Sequence, residues 1–324
     1  MVLFLRKVCF FGLLLTTVLG GIHWLSETKA PVYPESKKRI DVLREVAAEV
    51  KAVALRNSHN QGINYEVMGI DGFHLWIPGG DLFEAEYILR NVKHLLTSME
   101  YVLIPFPLHV TDNSTISGRS GIRRKVYKRY SFGVNYLPGD SKLYLKAQLS
   151  SVIRPDNWQG VLWPFSSAEV DSVAKNGRIY ALPTTGHPSA SEIDAIARER
   201  AHSHISIQKQ SLSERPSLCD DALDAVSNMA ATAGTKATLV LYKPPYPEAY
   251  ERTIENETPC SNLKKRALLL AQEHPAVEYI DLSSVLPDEN THVYFLDGDH
   301  LNARGARIMS SALGDSLRNL AISR

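Results

Sequence analysis

The segment Ala52-Val53-Ala54-Leu55-Arg56-Asn57-Ser58-His59-Asn60 passes from a short apolar run into a polar cluster. The apolar part, residues 52–55, is typical of a strand that is buried on both faces. The polar part then begins where that strand ends. We therefore predict a strand here, with chemistry emerging at its carboxyl end.

Four further apolar runs predict strands, at residues 72–77, 101–106, 237–242 and 277–282. Helical periodicity predicts helices around them, at residues 37–50, 82–96, 220–233 and 262–273. Strands that alternate with helices indicate an α/β fold with an open, doubly wound parallel sheet of about five strands. In such a sheet, ligands bind beyond the carboxyl ends of the strands. Ser58, Gly79-Gly80 and Lys243-Pro244-Pro245 all fall there.

The first 25 residues differ from the rest of the chain. Arg6 and Lys7 precede an uncharged apolar run, residues 8–25, that ends close to Trp24. This length is at the short end of a membrane span and is longer than most signal-peptide cores. We predict an uncleaved membrane anchor at 1–25, a tether at 26–36 and an extracytoplasmic domain at 37–324, on the periplasmic side or at the cell surface. A cleaved signal peptide and a buried helix are the alternatives.

A long segment, residues 111–216, separates the third and fourth predicted strands. We interpret it as an insertion that forms a lid over the crevice. Its basic run, residues 119–129, is consistent with a solvated face or with the binding of an anionic polymer. The whole chain of 324 residues has a net charge of only +1, which argues against a nucleic-acid partner.

Cysteine use is sparse. Cys9 lies in the apolar run, and Cys219 and Cys260 remain. In an oxidising compartment the last two could pair, but their spacing favours neither a disulfide nor two free thiols.

The candidate chemistry lies in two distant segments. Asp297 precedes His300 by three residues, in a loop before a predicted closing helix at 303–320. A serine hydroxyl becomes a nucleophile when an imidazole takes its proton and a carboxylate orients that imidazole. We predict Ser58 as nucleophile, His300 as base and Asp297 as orienter, with Asp299 as a possible substitute for Asp297.

Further residues are predicted to line this site. Main-chain N–H groups near Ser58 and Gly80 are candidate oxyanion donors, and Gly79 and Gly80 let a carbonyl approach the backbone. The other predicted lining residues are Asn57, His59 and Asn60. A metal site made by His59, His202 and His204 lacks a Cys or acidic ligand pattern, so we predict no metal and no cofactor.

Three blocks of the chain resemble the SGNH (GDSL-like) hydrolases: Ser58 after the first strand, the Gly-bearing turn after the second, and Asp297-Gly298-Asp299-His300-Leu301-Asn302 before the last helix. The resemblance covers residues from about 51 to 320 apart from the insertion. It implies a flavodoxin-like sheet of the SGNH type. It further implies Ser58 as nucleophile, Gly80 as oxyanion donor, and Asp297 and His300 as the other triad members.

Two positions depart from the family pattern. Arg56 stands where the family usually has a glycine, two residues before the serine. The family's third block usually offers an Asn as an oxyanion donor, and no such Asn follows the third or fourth predicted strand. Asn57, Asn60 or a main-chain N–H could take its place.

The anchored N-terminus resembles the exported, membrane-anchored branch of this superfamily, which includes the D-alanyl transfer protein of teichoic acid modification and polysaccharide O-acyltransferase-like proteins. This implies a serine esterase or O-acyltransferase that acts on an acylated glycan or another ester, alongside membrane-bound biosynthetic partner proteins. The alternative is a catalytically inactive SGNH-like module that binds glycan or scaffolds a membrane assembly. A nucleotide-binding protein is disfavoured because no Gly-rich phosphate loop follows the first strand.

Overall fold

The computed structural model describes residues 4, 6–7, 9–17, 20, 42–75, 80–106, 189–287 and 291–323. The chain divides into two compact units, one formed by Met1–Lys38 and Gly121–Ala174, the other by Arg39–Ser120 and Lys175–Arg324. All the strands named below lie in the second unit.

Within the first unit, the described residues between 4 and 20 are helical, and their large apolar side chains are exposed. None of the helices in the described part of the chain combines the length and the hydropathy that a membrane crossing requires. The predicted anchor, 1–25, falls only partly within the described residues. The predicted tether, 26–36, lies outside them, as does the basic run at 119–129.

The second unit is built on a five-stranded sheet. Its strands are β1 (Ala52–Ala54), β2 (Gly72–His74), β3 (Tyr101–Pro105), β4 (Thr238–Lys243) and β5 (Val277–Asp281). The order is β2-β1-β3-β4-β5 and every pairing is parallel. The predicted α/β class with a parallel sheet is confirmed, and the strand order is that of flavodoxin-like folds. Ala54 lies opposite both His74 and Leu103, so these strands reach the same edge of the sheet.

Seven α-helices of the second unit lie wholly within the described residues. They are α1 (Tyr65–Met68), α2 (Leu82–Val92), α3 (Ala190–Glu214), α4 (Leu218–Ala233), α5 (Glu248–Glu257), α6 (Leu263–Glu273) and α7 (Ala303–Ser323). Short 3-10 helices occur at Ser58–Gly62, Lys93–Leu95 and Thr291–Tyr294. The predicted helix at 37–50 is shorter in its described part, where residues 42–46 are helical and a turn follows at 47–49.

The closing helix α7 is fixed against one face of the sheet. Its Met309, Leu313 and Leu317 are fully or almost fully buried, in a cluster that includes Met68 and Leu103. The backbones of α7 and α1 approach closely, since a Cβ at Gly314 would lie 2.9 Å from the Cα of Met68. Burying three large aliphatic side chains contributes several kcal/mol, on the order of 1.5–3 for each. This packing fixes the start of α7, and with it the loop that carries His300.

A disulfide joins Cys219 in α4 to Cys260, just before α6, with a Cα–Cα distance of 5.9 Å. Cys9 is a free, exposed cysteine. Of the two possibilities that the sequence leaves open, the structure therefore contains the paired one.

Candidate active site

The segment after β1 turns sharply into a 3-10 helix that begins with Ser58. Leu55 still donates its N–H to Leu103 of β3, at 3.0 Å. Arg56 then has a φ of 96°, in the left-handed region that favours glycine. The main chain of Ser58 thus lies directly beyond the carboxyl end of β1, as predicted. Its side chain lies outside the described part of the structure.

Arg56 stabilises this unusual turn from within the protein. Its side chain is buried, and Nη1 donates to the main-chain oxygen of Pro105 at the end of β3. Burial lowers the pKa of the guanidinium to about 10, which still leaves it charged at neutral pH. The position that differs from the SGNH pattern therefore keeps a glycine-like backbone conformation, and a buried arginine occupies the space beside it.

Asn57 and His59 form a small hydrogen-bonded unit. Asn57 caps the 3-10 helix, and its Oδ1 accepts the N–H of His59 at 3.2 Å. The same oxygen lies 3.1 Å from Nδ1 of His59. The His59 ring stacks on that of His300, with centroids 5.1 Å apart and planes at 15°. Because Asn57 and His59 flank Ser58 in sequence, these contacts bring the first and last predicted segments to one site.

Asn60 is bonded into the protein interior. It is fully buried, its Nδ2 donates to the main-chain oxygen of Leu55, and its Oδ1 accepts from the Tyr242 hydroxyl at 2.8 Å. With both ends of the amide bonded to the protein, Asn60 ties the 3-10 helix to β1 and β4. The amide nitrogen of Asn60 keeps a second N–H, so its predicted role as a lining residue or oxyanion donor stays a prediction.

The loop before α7 holds Asp297 against His300. Oδ1 of Asp297 accepts the N–H groups of Asp299 and His300, at 3.0 and 2.9 Å. Nδ1 of His300 lies 3.0 Å from each carboxylate oxygen of Asp297. Asn302 caps α7, because its Oδ1 accepts from Arg304 and Gly305. Two main-chain donors fix the carboxylate, so Asp297 can orient the imidazole.

Asp299 is a second carboxylate on the same ring nitrogen. Its Oδ1 lies 3.0 Å from Nδ1 of His300 and 3.3 Å from Nε of Arg200. Its Oδ2 lies 3.4 Å from Nε2 of His59 and 3.9 Å from Nε2 of His204. The sequence suggested Asp299 only as a substitute for Asp297, whereas the structure brings both carboxylates to His300.

These contacts shift the pKa values of the site in opposite directions. Burial opposes the protonation of His300, but hydrogen bonds to Asp297 and Asp299 outweigh it and raise the pKa to about 10. Burial lowers the pKa of His59 and takes that of His204 to about 4. Burial also opposes ionisation of Asp299, but its contacts with His300 and His59 keep its pKa well below the usual range. The site therefore stabilises a charged imidazole at His300, the form a general base takes after accepting a proton.

A small open pocket lies beside these groups. It is lined by His59, Gly62, Pro244, Pro245, Asp299, His300 and Leu301. Pro244 and Pro245 directly follow β4, so the carboxyl edge of the sheet forms part of the wall, as predicted. Gly80 is buried just before Asp81, the N-cap of α2, and Gly79 lies outside the described residues. The oxyanion role of these two glycines stays a prediction.

Sequence reasoning missed the contribution of α3, which belongs to the predicted insertion. Arg200 and His204 lie four residues apart on one side of α3, and both reach Asp299. Nδ1 of His204 also lies 2.7 Å from the Tyr250 hydroxyl of α5. An Arg and a His at helical spacing were the available signal, but nothing local in the sequence indicated which loop that helix face would meet. His202, in contrast, is exposed and lies 3.5 Å from Glu257.

Comparison with known proteins gives no assignment: no protein-family model, no curated protein and no solved structure matches this chain.

Proposed function

We propose that this chain is an extracytoplasmic serine esterase or O-acyltransferase of the SGNH type, acting through an acyl-serine intermediate. The observation that carries the proposal is the placement of His300 and Asp297. Their dyad, with 3.0 Å between Nδ1 and each carboxylate oxygen, stands beside the 3-10 helix that Ser58 begins. A carboxylate, an imidazole and a serine at one strand edge are the parts of a nucleophilic triad.

In the proposed mechanism, Ser58 Oγ attacks the carbonyl carbon of an ester while its proton passes to Nε2 of His300. Nδ1 of His300 keeps its hydrogen, because that nitrogen faces Asp297. Asp297 thereby selects the tautomer that can act as base, and it stabilises the imidazolium that forms. His300 then returns the proton to the leaving alcohol, leaving an acyl-serine. In the second half, water or a sugar hydroxyl attacks the acyl group while His300 takes its proton. His300 then returns that proton to Ser58 Oγ as the bond between the acyl group and the serine breaks.

Family-level features support the SGNH assignment. The strand order, a serine directly after β1 and an Asp-x-x-His block just before α7 follow the family's sequence of elements. The φ of 96° at Arg56 adds support, since the family's glycine at that position would adopt such a conformation freely. The polysaccharide substrate and the membrane-bound partner proteins rest on the resemblance alone.

The extracytoplasmic location has separate support. A disulfide between Cys219 and Cys260 is typical of an oxidising compartment. The described apolar residues near the N-terminus, among them Phe10 and Leu13, are exposed and available for insertion into a bilayer. Export of the chain into an oxidising compartment accounts for the disulfide, and attachment by the N-terminal segment accounts for the exposed apolar residues.

A direct test is the hydrolysis of a small aryl ester by variants of the full chain. Ser58→Ala should lower kcat by at least about 10³-fold, since it removes the nucleophile. Ser213→Ala, at an exposed position of α3, is the matched control and should retain wild-type activity. If Ser58→Ala keeps most of the activity, Ser58 is not the nucleophile. If the wild-type chain hydrolyses no ester and binds glycan, the non-catalytic alternative is favoured.

A further inference from the structure

The ring of His59 is held with both nitrogens facing oxygen atoms. Nδ1 lies 3.1 Å from Oδ1 of Asn57, and Nε2 lies 3.4 Å from Oδ2 of Asp299. The amide oxygen of Asn57 is identified by a second bond, because it also accepts the main-chain N–H of His59. We assign the ring hydrogen of neutral His59 to Nδ1, because this tautomer lets the ring donate to the amide oxygen of Asn57. A neutral imidazole has only one such hydrogen, so the lone pair of Nε2 points towards a carboxylate.

A lone pair of His59 that faces the carboxylate of Asp299 is repelled by it, unless a proton or a cation lies between them. His59 is 9% exposed and Asp299 is 3% exposed, so bulk water screens the pair poorly. Within the described part of the chain, Nε2 of His59 is buried without a hydrogen-bond partner. Buried polar atoms of this kind are uncommon in native proteins and call for a ligand or another partner.

His300 completes a set of three metal-ligating groups. One ligand atom each from His59, Asp299 and His300 lies within 4.8 Å of the other two. Around a tetrahedral zinc ion with bonds of about 2.0–2.1 Å, neighbouring ligand atoms are roughly 3.3 Å apart. The observed separations are 3.4 Å from His59 Nε2 to Asp299 Oδ2, and 3.0 Å from His300 Nδ1 to Asp299 Oδ1. The two imidazole rings are stacked at 15°, so one ring must rotate before both nitrogens can point at one ion.

Some of the surrounding side chains favour binding of a divalent transition metal, and one opposes it. The Nδ1–H of His59 bonds to Asn57, which is the outer contact that orients a metal-ligating histidine. Nε2 of His204 lies 3.9 Å from Asp299 Oδ2, close enough to supply a fourth ligand after a rotamer change. Arg200 competes for Asp299 from 3.3 Å, so binding should be reversible rather than structural.

We propose that His59, Asp299 and His300 form a binding site for a transition-metal ion of the zinc type, and that the bound ion shuts off the base of the active site. An ion that binds Nδ1 of the protonated His300 ring releases the Nδ1 hydrogen to water and leaves the other ring hydrogen on Nε2. Nε2 then has no lone pair to accept the Ser58 proton. This second half of the proposal rests on the proposed function, whereas metal binding does not.

The test is calorimetric titration of Zn²⁺ into the full chain after removal of metal by a chelator. The wild-type chain should bind one ion, and Co²⁺ in its place should give the visible absorption of a tetrahedral site. His59→Ala and the near-isosteric Asp299→Asn should each weaken Zn²⁺ binding by at least about 10-fold. His202→Ala, an exposed histidine on the same helix as His204, is the matched control and should bind as the wild type does.

Equal Zn²⁺ affinity in Asp299→Asn and the wild type would overturn the assignment, as would a wild-type chain that binds no ion. Ser58→Ala should bind Zn²⁺ normally, which separates this proposal from the acyl-serine mechanism. If the chain binds Zn²⁺ but hydrolyses no ester, the metal site is supported and its proposed inhibitory role is rejected. Esterase activity that Zn²⁺ binding leaves unchanged would also remove that role.

Discussion

The backbone of Gly298 lies directly against the backbone of Ala197, so that a Cβ at residue 298 would stand 2.8 Å from the Ala197 amide nitrogen and Cα. This contact joins the loop of the dyad to α3, the helix that carries Arg200 and His204. Only a residue without a side chain allows α3 to lie this close. Gly298 therefore sets the distance between α3 and the loop that carries Asp297 and His300.

Gly298→Ala should consequently destabilise the fold by about 1–3 kcal/mol and lower esterase activity, because backbone atoms of α3 must move away. Gly62→Ala is the matched control. There the new methyl group meets the end of the flexible Met309 side chain at 2.9 Å, so the loss of stability should be smaller. Urea denaturation of both variants gives the comparison. Equal stabilities would show that α3 can shift without cost.

The two carboxylates on His300 should contribute differently to the pH dependence of ester hydrolysis. His300 must lose its proton before it acts as base, so kcat/KM should rise with pH towards its pKa of about 10. Asp299→Asn removes one of the negative charges that raise this pKa, and the rising limb should move to lower pH. Asp297→Asn should instead lower kcat, by up to about 10³–10⁴, because the ring loses one of the two carboxylates that orient it.

A chelator in the assay keeps metal ions from masking either effect. An unchanged pH profile in Asp299→Asn would contradict the role assigned to its contact with His300.

Position 56 allows alanine and glycine to be compared in a left-handed backbone conformation. Replacing it by Ala or by Gly removes the same buried side chain and the same bond to Pro105. Only glycine adopts a φ of 96° without strain, which for other residues costs about 1–3 kcal/mol. Arg56→Gly should thus be more stable than Arg56→Ala by about 1 kcal/mol, the reverse of the usual order in ordered structure. Thermal or urea denaturation measures the difference, and a more stable Ala variant would show that residue 56 has no such backbone.

The disulfide should make a measurable contribution to stability. Cys219 and Cys260 are 41 residues apart, and closing a loop of that size stabilises a fold by about 4 kcal/mol in the chain-entropy treatment. The double variant Cys219→Ala, Cys260→Ala should lose about 3–4 kcal/mol, and a reducing agent should lower the Tm of the wild-type chain. Cys9→Ala, which removes an exposed free thiol, is the control and should change neither value. A reduced wild-type chain with an unchanged Tm would show that the disulfide does not form.

The sheet and the Asp297–His300 pair could be predicted from the sequence, because both depend on residues that are close together in the chain. All five apolar runs become strands, although the run at 72–77 ends as a described strand at His74. Asp297 and His300 are three residues apart in one loop, so their contact follows from spacing alone. The orientation of Asn60 depends on Tyr242, which is 182 residues away, and no local pattern could indicate it. The contacts of Arg200 and His204 with Asp299 depend in the same way on how α3 packs against the loop.

The central claim is that Ser58 is the nucleophile served by His300 and Asp297. A serine-directed fluorophosphonate, applied to the metal-free full chain and followed by peptide mass mapping, tests it without knowledge of the substrate. We predict a single phosphonylated serine at Ser58, with labelling lost in Ser58→Ala and strongly slowed in His300→Ala. Labelling at another serine, or none at Ser58 in a folded chain that hydrolyses esters, would contradict the account.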